Sequence, residues 1–93
     1  MSSDSTHLFY RVKSVVPLQN MMLLVEFECG QKMTYDVKPL TTKWQAFQAL
    51  IDNSLFRSVI VDPGGYGISW NNHIDLACEE LWENGLPAEG MYQ

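Results

Sequence analysis

Between Met21 and Leu40 the chain alternates, and the parity of that alternation constrains the fold more than any other feature. Met21, Leu23, Val25 and Phe27 fall on one face of a strand; Met33, Tyr35 and Val37 fall on one face of its return. Side chains in a strand repeat every two residues, so each set lines one side. All these positions are odd, so facing residues must sum to an even number. A two-residue Cys29-Gly30 loop would put Phe27 opposite Lys32. A three-residue loop, Glu28-Cys29-Gly30, pairs Phe27 with Gln31, Val25 with Met33 and Leu23 with Tyr35 instead. It sets Glu26 opposite Lys32, a favourable cross-strand pair. It also puts Gly30 where a type I turn followed by a bulge needs a positive φ. A slip of one residue would turn the apolar face to water, so the three-residue loop is expected.

The elements around this hairpin follow from the same patterning. "LFYRVKSVVPLQN" reads as a preceding strand, with Pro17 near its end and Gln19-Asn20 as the turn. After Pro39, "TTKWQAFQALIDNS" places Trp44, Phe47, Leu50 and Ile51 at helical spacing, with Thr42 and Gln45 as a capping box. That stripe is expected to pack on the sheet, with Asp52-Asn53-Ser54 ending the helix. "LFRSVIVD" reads as a fourth strand centred on Val59, Ile60 and Val61, Pro63-Gly64-Gly65 as a turn, and "GISW" as a fifth strand. Asp75 is expected to N-cap a last helix whose apolar face carries Cys78, Leu81 and Trp82, with Gly85 at its C′ position and Pro87 beyond. The expectation is an α+β fold. Its antiparallel β-sheet has the order β-β-β-α-β-β-α, with the helices packed on one face. Residues 1–6 are polar and expected to be disordered, residues 7–85 form a single domain, and residues 86–93 form a loose tail.

Charge and cysteine usage narrow the function classes. Eleven acidic against 6 basic residues give a net charge of −5, and no two adjacent residues are basic. This disfavours nucleic acid, whose binding rests on clustered Lys and Arg. Glu79, Glu80, Glu83 and Glu89 concentrate acidity toward the C-terminus and suit a solvated helix or a basic partner surface. The start "MSSDSTHLFY" has neither a basic beginning nor an apolar core, and no apolar run approaches the ~20 residues that span a bilayer. No membrane association is expected. The two cysteines, Cys29 and Cys78, form no C-x-x-C motif, and a cytoplasmic protein with reduced thiols is expected. Two cysteines and two histidines offer too few ligands for a metal site, and no cofactor is implied.

"VDPGGYGISWNNHIDLACEELWENG", residues 61–85, looks most like a functional loop. Its three glycines, however, lie between two strand-like runs and lack the lysine-serine of a phosphate loop. Ser69, His73 and Asp75 are close in sequence, with Asp62 expected across the hairpin from them, and together they contain the residue types of a catalytic or metal cluster. Ser69 lacks a nucleophile-elbow context, and Asp75 has a structural task as a helix cap. Cys78, on an apolar face, reads as a small buried hydrophobe. The stretch is therefore expected to be a turn, a strand and a capped helix, and no enzymatic activity is expected.

The blocks Val16–Leu18, Gly30, Tyr35–Leu40, Phe47–Leu50 and Gly65–Leu76, in this order, resemble the bacterial domain-of-unknown-function family 2442. The resemblance covers residues 10–85. It implies a compact α+β domain with an antiparallel sheet. Some longer relatives carry a helix-turn-helix after this domain; with the sequence reaching Gln93 no room for one is expected, so DNA binding is not carried over from the resemblance. Many relatives are suspected antitoxin-like partners of a second small protein. No catalytic residue carries over. Asn71 and the Asn72-His73 pair replace a frequent Trp-Pro and glycine of the relatives.

These readings converge on a small intracellular protein-interaction module, antitoxin-like in the sense the resemblance implies. Tyr66, Trp70, His73 and Trp82 are the candidate partner-binding residues; for the tyrosine and tryptophans the reason is that aromatics dominate binding hot spots. The competing assignment for the aromatics is core packing. The alternative function is a small-ligand or weakly enzymatic site near His73 and Asp75. An open sheet edge offers a third possibility, a homodimer.

Overall fold

A computed structural model of the chain describes residues 11–88. Strands β1 (Val12–Pro17), β2 (Met22–Phe27) and β3 (Lys32–Asp36) form an antiparallel meander in which Leu23 faces Tyr35, Val25 faces Met33 and Glu26 faces Lys32. The Phe27 N–H donates to the Gln31 carbonyl at 2.9 Å, and Gly30 has φ +95°. The register expected from parity is the one the chain adopts. Every second residue is buried, from Leu23 through Phe27 and from Met33 through Val37. Between β1 and β2, Asn20 and Met21 both have positive φ, and the Lys38 ammonium donates to the Asn20 carbonyl at 2.8 Å.

The crossover departs from a single amphipathic helix. It consists of α1 (Lys38–Lys43), a 3₁₀ segment (Gln45–Ile51) and α2 (Asn53–Phe56), with Trp44 extended at the first junction. The expected capping box is absent. The Thr41 and Thr42 hydroxyls instead donate back to the Lys38 and Pro39 carbonyls, a local bond that competes with helix propagation. Of the expected stripe, Phe47 and Leu50 are buried, whereas Trp44 and Ile51 are exposed. That is the pattern of a 3₁₀ helix, where positions three apart eclipse. Asp52 accepts from the Ser54 N–H and caps α2.

The second half of the chain makes a sheet of its own. Strand β4 is Ile60–Val61, shorter than expected because Leu55 and Phe56 belong to α2. It pairs with β5 (Gly67–Asn71), and β5 pairs with β6 (Ile74–Ala77), all antiparallel. The Pro63–Gly65 turn lies between β4 and β5 as expected. The strand β6 was not anticipated: Ile74 and Leu76 are buried while Asp75 and Ala77 are exposed, a period of two. Asp75 is therefore a strand residue and not a helix cap. Helix α3 (Cys78–Asn84) has Ala77 at its N-cap, without a side-chain cap bond. Gly85 ends it in an extended conformation, φ −81° and ψ 170°, and not in a left-handed one.

The single sheet expected is thus two: β1-β2-β3 extended by a last strand β7 (Leu86–Pro87), in the order β1-β2-β3-β7, and β4-β5-β6. The last strand pairs with β3, and the buried Ala88 donates its N–H to the Lys32 carbonyl. The tail expected to be loose is therefore held through Ala88. Residues 1–10 and 89–93 lie outside the described residues, and with them the segment expected to be disordered, the first residues of the expected first strand and the rest of the expected tail. β1 lies against β4 and β5, and α3 against β3 and β5, so the two sheets share one core. No polar or charged residue among those described is buried. Cys78 is buried and Cys29 exposed, and both are free thiols.

Candidate functional site

The β4–β5–β6 sheet carries most of the residues singled out in the sequence, and alternation sorts them between its two faces. Ile68 and Trp70 point into the core. The Trp70 ring stacks on Phe56 with centroids 6.3 Å apart and meets Phe47 edge-on at 6.1 Å. Its indole N–H donates to the Phe56 carbonyl at 2.9 Å. Trp70, expected as a partner-binding residue, is instead a core residue with its one polar group satisfied. Trp82 is half-buried and meets Phe27 edge-on at 5.1 Å.

On the outer face, Ile60, Ser69 and Asp75 form one cross-strand row. The Ser69 hydroxyl donates to Asp62 Oδ1 at 2.7 Å. The other carboxylate oxygen of Asp62 lies over Gly67, where a β-carbon would come within 3.2 Å of it. The Asp62–Ser69 proximity anticipated across the hairpin therefore forms, with Asp75 beside it. His73 does not join them. It lies in the β5–β6 turn, exposed, where its backbone N–H and that of Ile74 donate to Asn71 Oδ1 at 2.8 and 3.0 Å. Asn71 thus fixes this turn through its side chain. No group of His, Cys, Asp and Glu among the described residues is arranged to hold a metal ion.

Tyr66 is 62% exposed at the end of the Pro63–Gly65 turn. The Arg11 guanidinium sits 5.6 Å from its ring centroid, a cation–π contact that orients the ring. Ile60, on the same hairpin, is 60% exposed. Sequence reading placed Ile60 in a strand centre and missed it as a surface residue. Its exposure follows from pairing with Ser69 on the outer face.

A second feature was not visible in the sequence. A cleft of about 270 Å³ lies between the end of β3, α1 and α3, lined by Tyr35, Asp36, Leu40, Lys43, Glu80 and Asn84, with Pro39 at its wall. The Tyr35 hydroxyl donates to Glu80 Oε2 at 2.7 Å, joining residues 45 apart in sequence. Burial first, and then the Glu80 carboxylate, push the Tyr35 phenol above its ordinary value, so it stays a donor. Asp36 pairs with Lys38 at 3.0 Å. On the buried side of α3, burial and the neighbouring Glu79 raise the Cys78 thiol.

A family model described as "Protein of unknown function (DUF2442)" matches residues 12–87. No curated protein and no solved structure gives a significant match. No helix of the described residues is long and apolar enough to cross a membrane.

Proposed function

Starting from the fact that the chain belongs to the DUF2442 family of proteins of unknown function, we propose that it is a small intracellular protein-interaction module. The β4–β5 hairpin is its contact surface. The observation that carries this reading is the exposure of Tyr66 and Ile60, 62% and 60%, on one short hairpin. Two large side chains with apolar surface left in water on one hairpin support its reading as a surface that a partner covers. Tyrosine and arginine are enriched among residues that dominate binding energy, and here Arg11 lies against Tyr66. Asp75, in the same cross-strand row as Ile60 and Ser69, and Asp62, bonded to Ser69, supply acidic hydrogen-bond acceptors, which suit a basic partner surface.

An antitoxin-like role, in which a second small protein covers this hairpin, is the specific form of the proposal. The free thiols of Cys29 and Cys78 are consistent with a cytoplasmic setting. Trp70 takes no part, because it is inside. Affinity capture of the tagged chain from its native lysate, read by mass spectrometry, tests the idea. A single near-stoichiometric partner is expected, with recovery falling about tenfold in Tyr66→Ala, an interface loss of about 1.4 kcal/mol. Recovery unchanged in a Tyr66→Ala/Ile60→Ser double variant that still folds would remove the hairpin from the proposal. Light scattering on the purified chain identifies the case in which the partner is a second copy.

A further inference from the structure

The cleft between β3, α1 and α3 shares no lining residue with that hairpin, and it brings side chains of both charge signs together. Glu80 spends one carboxylate oxygen on the neutral Tyr35 hydroxyl, which holds it in place without cancelling its charge. Lys43 lines the same cleft; its ammonium lies 5.8 Å from the Trp44 ring centroid and makes no ion pair among the described residues. The third charged residue of the lining, Asp36, is already taken by Lys38. Glu80 and Lys43 thus both line this small space, and no ion pair joins them. A ligand that carries both charges can meet the Glu80 carboxylate and the Lys43 ammonium at once, each through a charge-assisted contact.

We propose that this cleft binds a small zwitterion of the ω-amino acid class, its ammonium at Glu80 and its carboxylate at Lys43. Leu40 and Pro39 supply an apolar wall for the methylene stem, and the Asn84 amide adds a donor and an acceptor. Size supports the choice. Ligand cavities usually run from roughly 300 to 1,000 Å³. A cleft of about 270 Å³ falls just below that range, too small for a nucleotide cofactor and suited to an amino-acid-sized guest. The buried Tyr35 hydroxyl, bonded to Glu80, fixes the carboxylate before binding, which reduces the ordering cost of a weak ligand. A free ω-amino acid and the C-terminal lysine of a peptide present the same pair of charges on the same kind of stem.

The test is a titration of the full ¹⁵N-labelled chain, followed by amide chemical shifts, with ε-aminocaproate, with acetyl-glycyl-lysine, and with hexylamine and caproate as single-charge controls. Saturable shifts are expected at Leu40, Lys43, Glu80 and Asn84, with each single-charge control binding at least about tenfold more weakly than the zwitterion. Tighter binding of acetyl-glycyl-lysine than of ε-aminocaproate would identify a peptide end as the source, and the reverse order a free metabolite. Glu80→Gln and Lys43→Gln, checked for an unchanged melting midpoint, should each cost a similar factor. Hexylamine or caproate binding as tightly as the zwitterions, or no saturable shift with either zwitterion, would overturn the proposal. These outcomes are independent of whether the β4–β5 hairpin has a protein partner.

Discussion

Gly65 and Gly30 both have positive φ, yet replacing them should have unequal consequences. At Gly65, φ is +78° and a β-carbon would lie 2.6 Å from the Val12 carbonyl oxygen, which belongs to a paired strand and cannot swing away. At Gly30, φ is +95° and nothing lies within 4 Å. Gly30→Ala should therefore cost about 1 kcal/mol, the left-handed strain alone. Gly65→Ala adds displacement of β1 from the β4–β5 turn and should cost at least about 3 kcal/mol. Urea unfolding followed by tryptophan fluorescence measures both; equal losses would mean that the contact with β1 sets no constraint. Trp70 gives a second prediction at this scale. Trp70→Phe keeps an aromatic ring in the core but leaves the Phe56 carbonyl without its donor. A loss of about 1–3 kcal/mol follows from the unsatisfied buried acceptor. Because Trp70 is inside, that loss should appear in the melting curve and leave partner capture unchanged in the folded fraction.

At the scale of elements, the hairpin was legible and the crossover was not, for a reason visible in particular residues. Leu23, Val25, Phe27, Met33, Tyr35 and Val37 repeat at the strand period over two segments, and only one register buries both sets. Trp44, Phe47, Leu50 and Ile51 fit an α-helical stripe equally well on paper. The difference rests on Thr41 and Thr42 bonding back to α1 carbonyls and on Trp44 turning extended, which the spacing does not encode. Strand β6 was hidden by Asp75, whose residue type suits a cap as well as it suits the wet side of an edge strand. Leu86 to Ala88 departs from the expected loose tail because Pro87 stops a helix but is tolerated on a short edge strand. A chain ending at Gly85 tests this directly. It would lose the pairing of β7 with β3, the Ala88–Lys32 hydrogen bond and a buried alanine, and would leave the edge of β3 open. We expect a loss of about 1–3 kcal/mol by urea unfolding and concentration-dependent association by light scattering. Unchanged stability and a monomer would show that β7 contributes nothing.

At the scale of the whole molecule, the two sheets meet through β1, β4 and α3, and the groups that couple them come from distant parts of the chain. Asp62 and Ser69 were legible as neighbours because a hairpin joins them, whereas Tyr35 and Glu80, in β3 and α3, become neighbours only once the sheets assemble. The same assembly buries Cys78 and Tyr35, and this sets how the fold responds to base. Both groups have folded pKa values raised above their ordinary values, 9.0 for the thiol and 10.0 for the phenol, with desolvation as the first cause in each case. The folded state therefore binds more protons than the unfolded chain at alkaline pH, and stability falls as pH rises. Their contribution is whole below the ordinary values and is lost as pH climbs from those values toward the raised ones. The melting midpoint should be flat near neutrality, begin to fall at about pH 9 as unfolded chains ionise the thiol, and fall more steeply above about pH 10 when the phenol joins. Cys78→Ala should remove the early part of the decline and Tyr35→Phe the later part, each at some cost in neutral-pH stability. Calorimetry across this range decides the matter: a midpoint that stays level through the alkaline range, or a decline untouched by both substitutions, would mean that these two buried groups do not govern the alkaline limit of the fold.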